Sequence, residues 1–422
     1  MVSVTRFRWF GIAAAVACVL VASSSDCLAG GFSNPDFGGR RMGMFAVVAR
    51  PDDVTAVFHN PAGLTLLDGT QFYHAQSWFF VELGLRLYDS AGFLKPDHEI
   101  HPDWSVGLIP FVGLASDLGT KDFRLGFGIY APNAYGAALP TDEPSRYQAT
   151  RALFVAGRAT VSAAYRLSPK LSLGASVNLI YVYLMGKRVM NPLVLANPDR
   201  RFDDPATTTT HESDATLAID GRAWTWAWDV GLLFTPLETF RIGATFSSGS
   251  PIHLKGDVKL TWRDGKVEKS THSTEMTIPF TLRAGFNWEF APGFEWGTDV
   301  FWWHYQVFQE QRSVLSTPIM GLKEFRDARD NGNSWAWCTG LMYHVRPDLA
   351  LMFGYQMDFT PSPTRTYSLE NTATSQRGIS VGTRWDVSKR VRLGLALVRN
   401  WFDLIHVQDS LSTPPTNTKG YG

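Results

Sequence analysis

Beyond residue 30 the chain has no uninterrupted apolar run of about 18 residues, so no segment there can cross a membrane as a helix. Cysteine is scarce too, with three in 422 residues. Two of them, Cys18 and Cys27, fall in the first 29 residues, which leaves Cys338 alone and excludes a disulfide framework from the rest. Charge is thin at 18%, below the ~25% usual for soluble domains. Neither sign is in excess, with 39 Lys+Arg against 39 Asp+Glu, so nothing points to a nucleic acid partner. Aromatics, in contrast, are plentiful, and the 15 Trp weigh against an ordinary soluble domain.

The N-terminus reads as a secretory signal over residues 1–29. Arg6 and Arg8 precede a 14-residue apolar stretch, Trp9–Ala22, and Cys27-Leu28-Ala29 puts small residues at the −3 and −1 positions of a cleavage site. The competing lipoprotein reading needs a lipobox at Cys18 or Cys27, and neither has a good one. Removal of residues 1–29 leaves 39−2 = 37 basic and 39−1 = 38 acidic residues, still balanced.

From residue 70 to 422 the chain becomes a series of period-two segments. In Leu171–Tyr183 the residues Leu171, Leu173, Ala175, Val177, Leu179, Tyr181 and Tyr183 share one face, with Ser172, Gly174, Ser176 and Asn178 on the other. Thr281–Phe290 and Gly378–Val387 alternate the same way. This period means strands with one apolar and one polar face. A soluble sandwich would turn the apolar face inward, and a membrane barrel would turn it to lipid. Connection lengths separate the two. Tight turns such as Leu167-Ser168-Pro169-Lys170, Phe290-Ala291-Pro292-Gly293 and Val345-Arg346-Pro347-Asp348 alternate with long polar connections near 88–104, 133–150, 190–214, 311–332 and 360–375. Short turns on one side and long loops on the other mark an outer-membrane barrel. Trp78-Phe79-Phe80, Phe301-Trp302-Trp303, Trp335 with Trp337, and Trp401-Phe402 are candidate girdle residues. Trp302 and Trp303 must face opposite sides.

The fold expected is therefore all-β, a transmembrane antiparallel β-barrel. The segments count to about thirteen strands, and 252–263 adds a hairpin or extends a neighbour. A barrel of about fourteen strands would enclose a wide aqueous hole if left empty. Residues 30–69, Gly-rich and irregular, are the right length of chain to fill it.

Residues Pro51-Asp52-Asp53-Val54-Thr55-Ala56-Val57-Phe58-His59-Asn60-Pro61-Ala62-Gly63-Leu64 resemble the most distinctive stretch of the FadL family of outer-membrane transporters for long-chain fatty acids and other hydrophobic compounds. Leu125–Pro132, Arg146-Tyr147-Gln148-Ala149-Thr150, Ser250-Pro251-Ile252 with Gly256-Asp257, Thr298–Trp303 and Phe359-Thr360-Pro361-Ser362-Pro363 resemble further family segments. The resemblance implies an N-terminal hatch over 30–69 plugging the lumen, with Asn60, Pro61, Ala62 and Gly63 as its motif. It implies that Gly31 and Phe32 touch an inner ligand pocket. It implies hatch-gated transport of long-chain fatty acids or other hydrophobic small molecules into the periplasm of a Gram-negative-type cell, by a monomer, with no cofactor. It also implies fourteen strands. The last clear one, Arg390–His406, resembles the family's penultimate strand, so the fourteenth is expected to be missing, with an unpaired edge between 70–87 and 390–406.

A fatty-acid carboxylate needs a cation. Arg158, Arg283 and Arg384 are lumen-side candidates, with Glu289, Asp299 and Asp386 as the partners that a purely structural pairing would use. His98-Glu99-Ile100-His101 with Asp103 lies in a loop without helical spacing, so no metal site is expected. No nucleophile elbow or phosphate loop points to an enzyme. The alternative function is a general diffusion porin for small polar solutes, which would conduct ions where a hatch transporter is sealed.

Overall fold

The computed structural model describes residues 36–88, 99–102, 105–192, 211–369, 374–411 and 417–421. Gly31, Phe32, His98 and Asp103 lie outside these residues.

The described residues begin with two short helices, α1 (Gly39–Met44) and α2 (Ala56–His59), and a 3-10 turn at Pro61–Leu66. Strands follow: β1 (Thr70–Val81), β2 (Gly84–Tyr88), β3 (Ser105–Ser116), β4 (Phe123–Ala138), β5 (Arg151–Ser168), β6 (Leu171–Met190) and β7 (Ala215–Leu237). Then come β8 (Phe240–Ser247), β9 (Ser250–Trp262), β10 (Val267–Ile278), β11 (Thr281–Ala291), β12 (Phe294–Trp303), β13 (Glu310–Ile319) and β14 (Leu322–Ala328). The last are β15 (Ser334–Arg346), β16 (Leu349–Asp358), β17 (Gln376–Ser388), β18 (Val391–Phe402), β19 (Ile405–Val407) and β20 (Asn417–Tyr421).

Seventeen of these form one antiparallel sheet. Four pairs run end to end, because β7 pairs with both β8 and β9, β8 and β9 pair with β11 and β10, and the same partnership continues through β12/β13 and β15/β14. Seventeen less four leaves thirteen continuous staves, the number that the alternating segments give. The excess of assigned strands over the expected fourteen comes from breaks inside long staves. One open alternative is decided and one sequence expectation changes. Residues 252–263 extend β8 as β9. Residues 311–332 are not a loop but largely the hairpin β13–β14, turned at Met320 and Gly321 with φ of 50° and 76°, a two-residue turn whose twist suits paired strands. Its strands alternate without an apolar face toward lipid, which hid them from a hydrophobic-period reading.

The breaks lie side by side at one level: 248–249, 279–280, 304–309 and 329–333. Below this seam, toward the tight turns, the outward residues are apolar. On β7 they are Trp228, Val230, Leu232 and Phe234, with Trp226 at the seam and Trp224 just above it, all exposed. Eleven strand residues tilted in a barrel span about 25 Å, the height of a lipid-facing band. Above the seam the outward positions of β9 are His253, Lys255, Asp257 and Lys259, all exposed. Trp303 is buried inside while Trp335, Trp401, Trp78 and Phe80 stand exposed as a girdle.

The first and last staves do not pair. β1 runs against β3 and β18 against β17, and no β1–β18 ladder exists among the described residues. The two meet only at the long-loop end. There β20 lies between β2, which continues β1, and β19, which continues β18, antiparallel to both.

Candidate functional site: the hatch seat and the cavity above it

The N-terminal segment from Asp36 to Leu67 is buried inside the wall almost throughout. What lets it lie against the strands is a line of inward-facing glycines near the tight-turn end. A Cβ at Gly174 of β6 would sit 2.3 Å from the Ala62 nitrogen, and one at Gly231 of β7 would sit 2.2 Å from Asn60 Oδ1. Gly174 and Gly231 are direct cross-strand partners. Together they form a notch that receives Asn60-Pro61-Ala62. Gly243, Gly297, Gly340 and Gly354 continue the contact with Val48, Ala46 and Met44, so the strands follow the hatch around its circumference.

Asn60 ends α2 and caps the 3-10 turn. Its Oδ1 accepts from Ala62 N at 3.1 Å. Its Nδ2 donates to Val48 O at 2.9 Å and to Leu232 O, on the wall, at 3.0 Å. Pro61 occupies the first position of the turn, where a donor would have no helical partner. The motif is thus a cap that is also hydrogen-bonded to the barrel. Gly63 faces Pro51, whose Cγ a Cβ would meet at 2.1 Å.

Charge fixes the other end of the hatch. Arg40 donates to Asp52 at 2.8 Å and to Glu295 of β12 at 3.1 Å. Arg384 of β17 reaches Asp52 at 2.8 Å, and Arg50 and His344 reach the other Glu295 oxygen at 3.1 Å each. Asp299 of β12 accepts from the backbone of Val47 at 2.6 Å and Val48 at 3.0 Å. Arg41 pairs with Asp36 at 3.0 Å and donates to Gln356 of β16 at 3.0 Å. Burial alone would raise the Asp52 pKa, but Arg40 and then Arg384 outweigh it and hold the carboxyl well below its ordinary range. His59 packs at a tilt against Phe37 and edge-on against Phe58. Burial lowers its pKa far below the usual imidazole value, so the ring is neutral.

Above the hatch lies a cavity whose floor is Phe58. Its walls include Pro132 and Asn133 at a register shift of β4, Ser247 and Pro279 at the seam, and Phe301 and Trp303. Arg158 of β5 and Arg283 of β11 converge on it. Their guanidinium carbons lie 6.0 and 4.6 Å from the Phe58 ring centre. Arg158 donates to Asn133 at 3.1 Å and Arg283 to Ser247 at 2.8 Å. Arg158 Nε and both Nε and Nη1 of Arg283 are buried without a hydrogen-bond partner. Buried donors left so cost free energy, which an anion at this point would recover.

Inward side chains change character at this level. On β6 they run Ser172, Gly174, Ser176, Asn178 beside the hatch and then Ile180, Val182, Leu184 above it. Phe154, Ile252, Leu254, Met276, Ile278, Phe301 and Trp303 join the latter in one apolar cluster. Along β6 the lumen is polar around the plug and apolar over it, whereas β3 and β4 pack Ile109, Phe111, Ala115 and Tyr130 against the plug.

Of the three arginines named from sequence, Arg158 and Arg283 therefore meet at one cavity, while Arg384 belongs to the hatch anchor. Asp299 is a hatch acceptor, Asp386 pairs with Arg392 at 2.5 Å, and Glu289 joins neither group. Arg40, Arg41, His59 and Glu295 escaped the sequence reading. Asp52-Asp53 ahead of the motif was the available signal, since buried carboxylates require cations. Among the described residues no cluster of metal-ligating side chains occurs.

The chain matches the family model described as outer membrane protein transport protein (OMPP1/FadL/TodX) over residues 19–417. It is 21% identical to the long-chain fatty acid transport proteins of Escherichia coli (strain K12) and Shigella flexneri, with 91% of this chain and 90% of each relative covered. Among solved structures it is similar to a Pseudomonas aeruginosa FadL homologue, with TM-score 0.80, 16% identity and 93% and 96% of the two chains covered. It is also similar to the P. putida toluene transporter TodX, with TM-score 0.67, 16% identity and 94% and 96% covered. With a family match over nearly its whole length, this chain belongs to the OMPP1/FadL/TodX family of outer membrane transport proteins.

Proposed function

We propose that the protein carries long-chain fatty acids, or hydrophobic acids of similar shape, across the outer membrane into the periplasm, with residues 30–69 as the gate and residues 1–29 removed on export. The observation that supports this cargo is the junction of two environments above Phe58. An apolar upper lumen suits an alkyl chain, and the unpartnered nitrogens of Arg158 and Arg283 suit a carboxylate at its end. A general porin would need an open polar lumen instead. Asn60, Pro61, Ala62 and Gly63 then hold the plug that must yield for cargo to pass, and Gly31 and Phe32 are assigned to the same pocket by family likeness alone. The wall is a single chain, and the reading needs neither cofactor nor catalysis.

The test is uptake into cells that lack other such carriers, with oleate and toluene as parallel cargoes. Arg158→Gln with Arg283→Gln should cut oleate uptake by about tenfold or more while leaving toluene uptake near wild type, since each charge-assisted hydrogen bond contributes ~1.5–3 kcal/mol. Equal loss of both cargoes, or of neither, would remove the carboxylate from the reading.

A further inference from the structure

On the outward face just above the lipid-facing band, four basic residues lie on one line across the sheet. Arg151 of β5 is the register partner of Lys187 of β6, and Lys187 is the partner of Ala218 of β7. Ala218 is the partner of Lys259 of β9, and Lys259 of Lys269 of β10. All four basic side chains are exposed, and among the described residues none is in an ion pair. With strands ~4.8 Å apart, the row spans about 20 Å. Like charges set directly opposite each other weaken a sheet, yet here Arg151 faces Lys187 and Lys259 faces Lys269. A second basic pair, Arg222 and Lys255, sits opposite one rung above Trp224. Asp220 and Asp257, between the two tiers, are the facing acidic groups, so six positive charges stand against two negative ones.

The height of the row decides what would neutralise it. The outward residues below are Trp224, Tyr183 and Tyr181, with the Arg222 guanidinium over the Tyr183 ring at 5.8 Å and Tyr181 against Trp224 at 4.8 Å. These rings mark the interface with the hydrocarbon. Arg222 and Lys255 stand where the headgroups of the outer leaflet start, and the row lies two rungs higher, toward their phosphorylated sugars. A substrate on its way into the lumen does not meet this face, because the side chains point away from it.

We propose that Arg151, Lys187, Lys259 and Lys269 form a docking strip for the phosphate groups of anionic glycolipid in the outer leaflet. Two diphosphorylated headgroups side by side match the strip in length and sign, and they turn the repulsion between facing cations into charge-assisted hydrogen bonds. Such a contact fixes the depth of the barrel and places the hairpins β9–β10 and β13–β14 in the saccharide layer.

The probe is diphosphorylated lipid A in phosphatidylcholine vesicles, with the full chain reconstituted and retained lipid A counted by native mass spectrometry at ~0.15 M salt. The quadruple exchange R151Q/K187Q/K259Q/K269Q should lower retention by at least about tenfold. D220N/D257N, which removes the opposing charge, should raise it. Gel mobility before and after heating checks that each variant is folded, and the gain expected from the Asp variant holds the test open if the quadruple variant fails to fold. Unchanged retention in both variants overturns the proposal. So does loss of lipid A on adding equimolar inorganic pyrophosphate, which would make the strip a site for free anions.

Discussion

Arg384 of the wall and Arg40 of the hatch both reach one oxygen of Asp52, each at 2.8 Å. One hatch carboxylate thus holds a cation of its own segment and a cation of the barrel. Asp52→Asn leaves both guanidinium groups without that charge, and removing one partner of a buried pair costs ~3–5 kcal/mol. The expected outcome is a barrel that still folds but conducts ions in planar bilayers. A variant as silent as wild type would show that the pairing does not hold the plug. Because the folded pKa of Asp52 lies below the unfolded one, its contribution is complete above the ordinary carboxylate pKa of ~3.9 and is lost only as pH falls below that.

His59 acts in a different pH window. Its folded pKa is depressed, so the unfolded hatch binds a proton more readily, and docking is strongest above ~6.5 and weakens as pH falls below that value. Hydrogen exchange of hatch peptides, corrected for intrinsic rates, should therefore rise between pH 7.5 and 5.0. In His59→Gln the rise should vanish. A wild-type hatch equally protected at both pH values would contradict the assignment.

Transport depends on the geometry at Asn60-Pro61. Pro61→Ala frees φ and restores a donor, and Asn60→Ala deletes the hydrogen bonds to Val48 and Leu232. Oleate uptake should fall several-fold in each while the unfolding temperature of the barrel moves little. Intact uptake in a folded Asn60→Ala protein would reduce the motif to a local turn.

The notch can be filled from the wall. Gly231→Val crowds Asn60 Oδ1, 2.2 Å from the Cβ position, and the rigid Pro61 ring, whose Cδ and Cγ lie at 2.8 and 3.0 Å. We expect the 30–69 segment to become protease-sensitive with the strands intact. If the hatch stays protected, it seats elsewhere than in this notch.

The unpaired facing edges of β1 and β18 are each 12 residues long, and β20 enters the space between them antiparallel to both sides. A segment of about 12 alternating residues that continues β20 down this slot should satisfy backbone groups that lipid cannot and raise the unfolding temperature in detergent above that of a chain cut after Tyr421. No rise, with the added strand open to protease, would show that the slot does not accept a strand.

Much of this was legible in the chain. Staves such as β6 announce themselves through the outward apolar line of Leu171–Tyr183, and the expected mismatch of the end strands rests on the loop-like composition after His406. Two things were hidden. The inward faces over the seam are apolar, as Ile252, Leu254, Val258 and Leu260 show, so β9 reads as apolar inward and charged outward, the reverse of the rule applied to the rest. The anchor of the hatch depends on partners such as Arg40 and Glu295, 255 positions apart, which no local pattern can join. Arg384 stays a mere candidate for cargo in the sequence because strand periodicity gives the face but not what fills the space in front of it.

The break at Ser248-Gly249 sets that reversal. Below it the even-numbered positions of β8 point outward, and above it the odd-numbered positions of β9 do. The wall therefore contains a phase shift of one residue, and everything beyond it is read in the new frame. Because side chains alternate with a period of two, a strand that ran straight through Ser248-Gly249 without the break would carry the old frame upward. Lys255 and Lys259 would then face the lumen, and Ile252 and Leu254 would face water. This one break keeps the greasy interior and the charged exterior of the upper barrel from changing places.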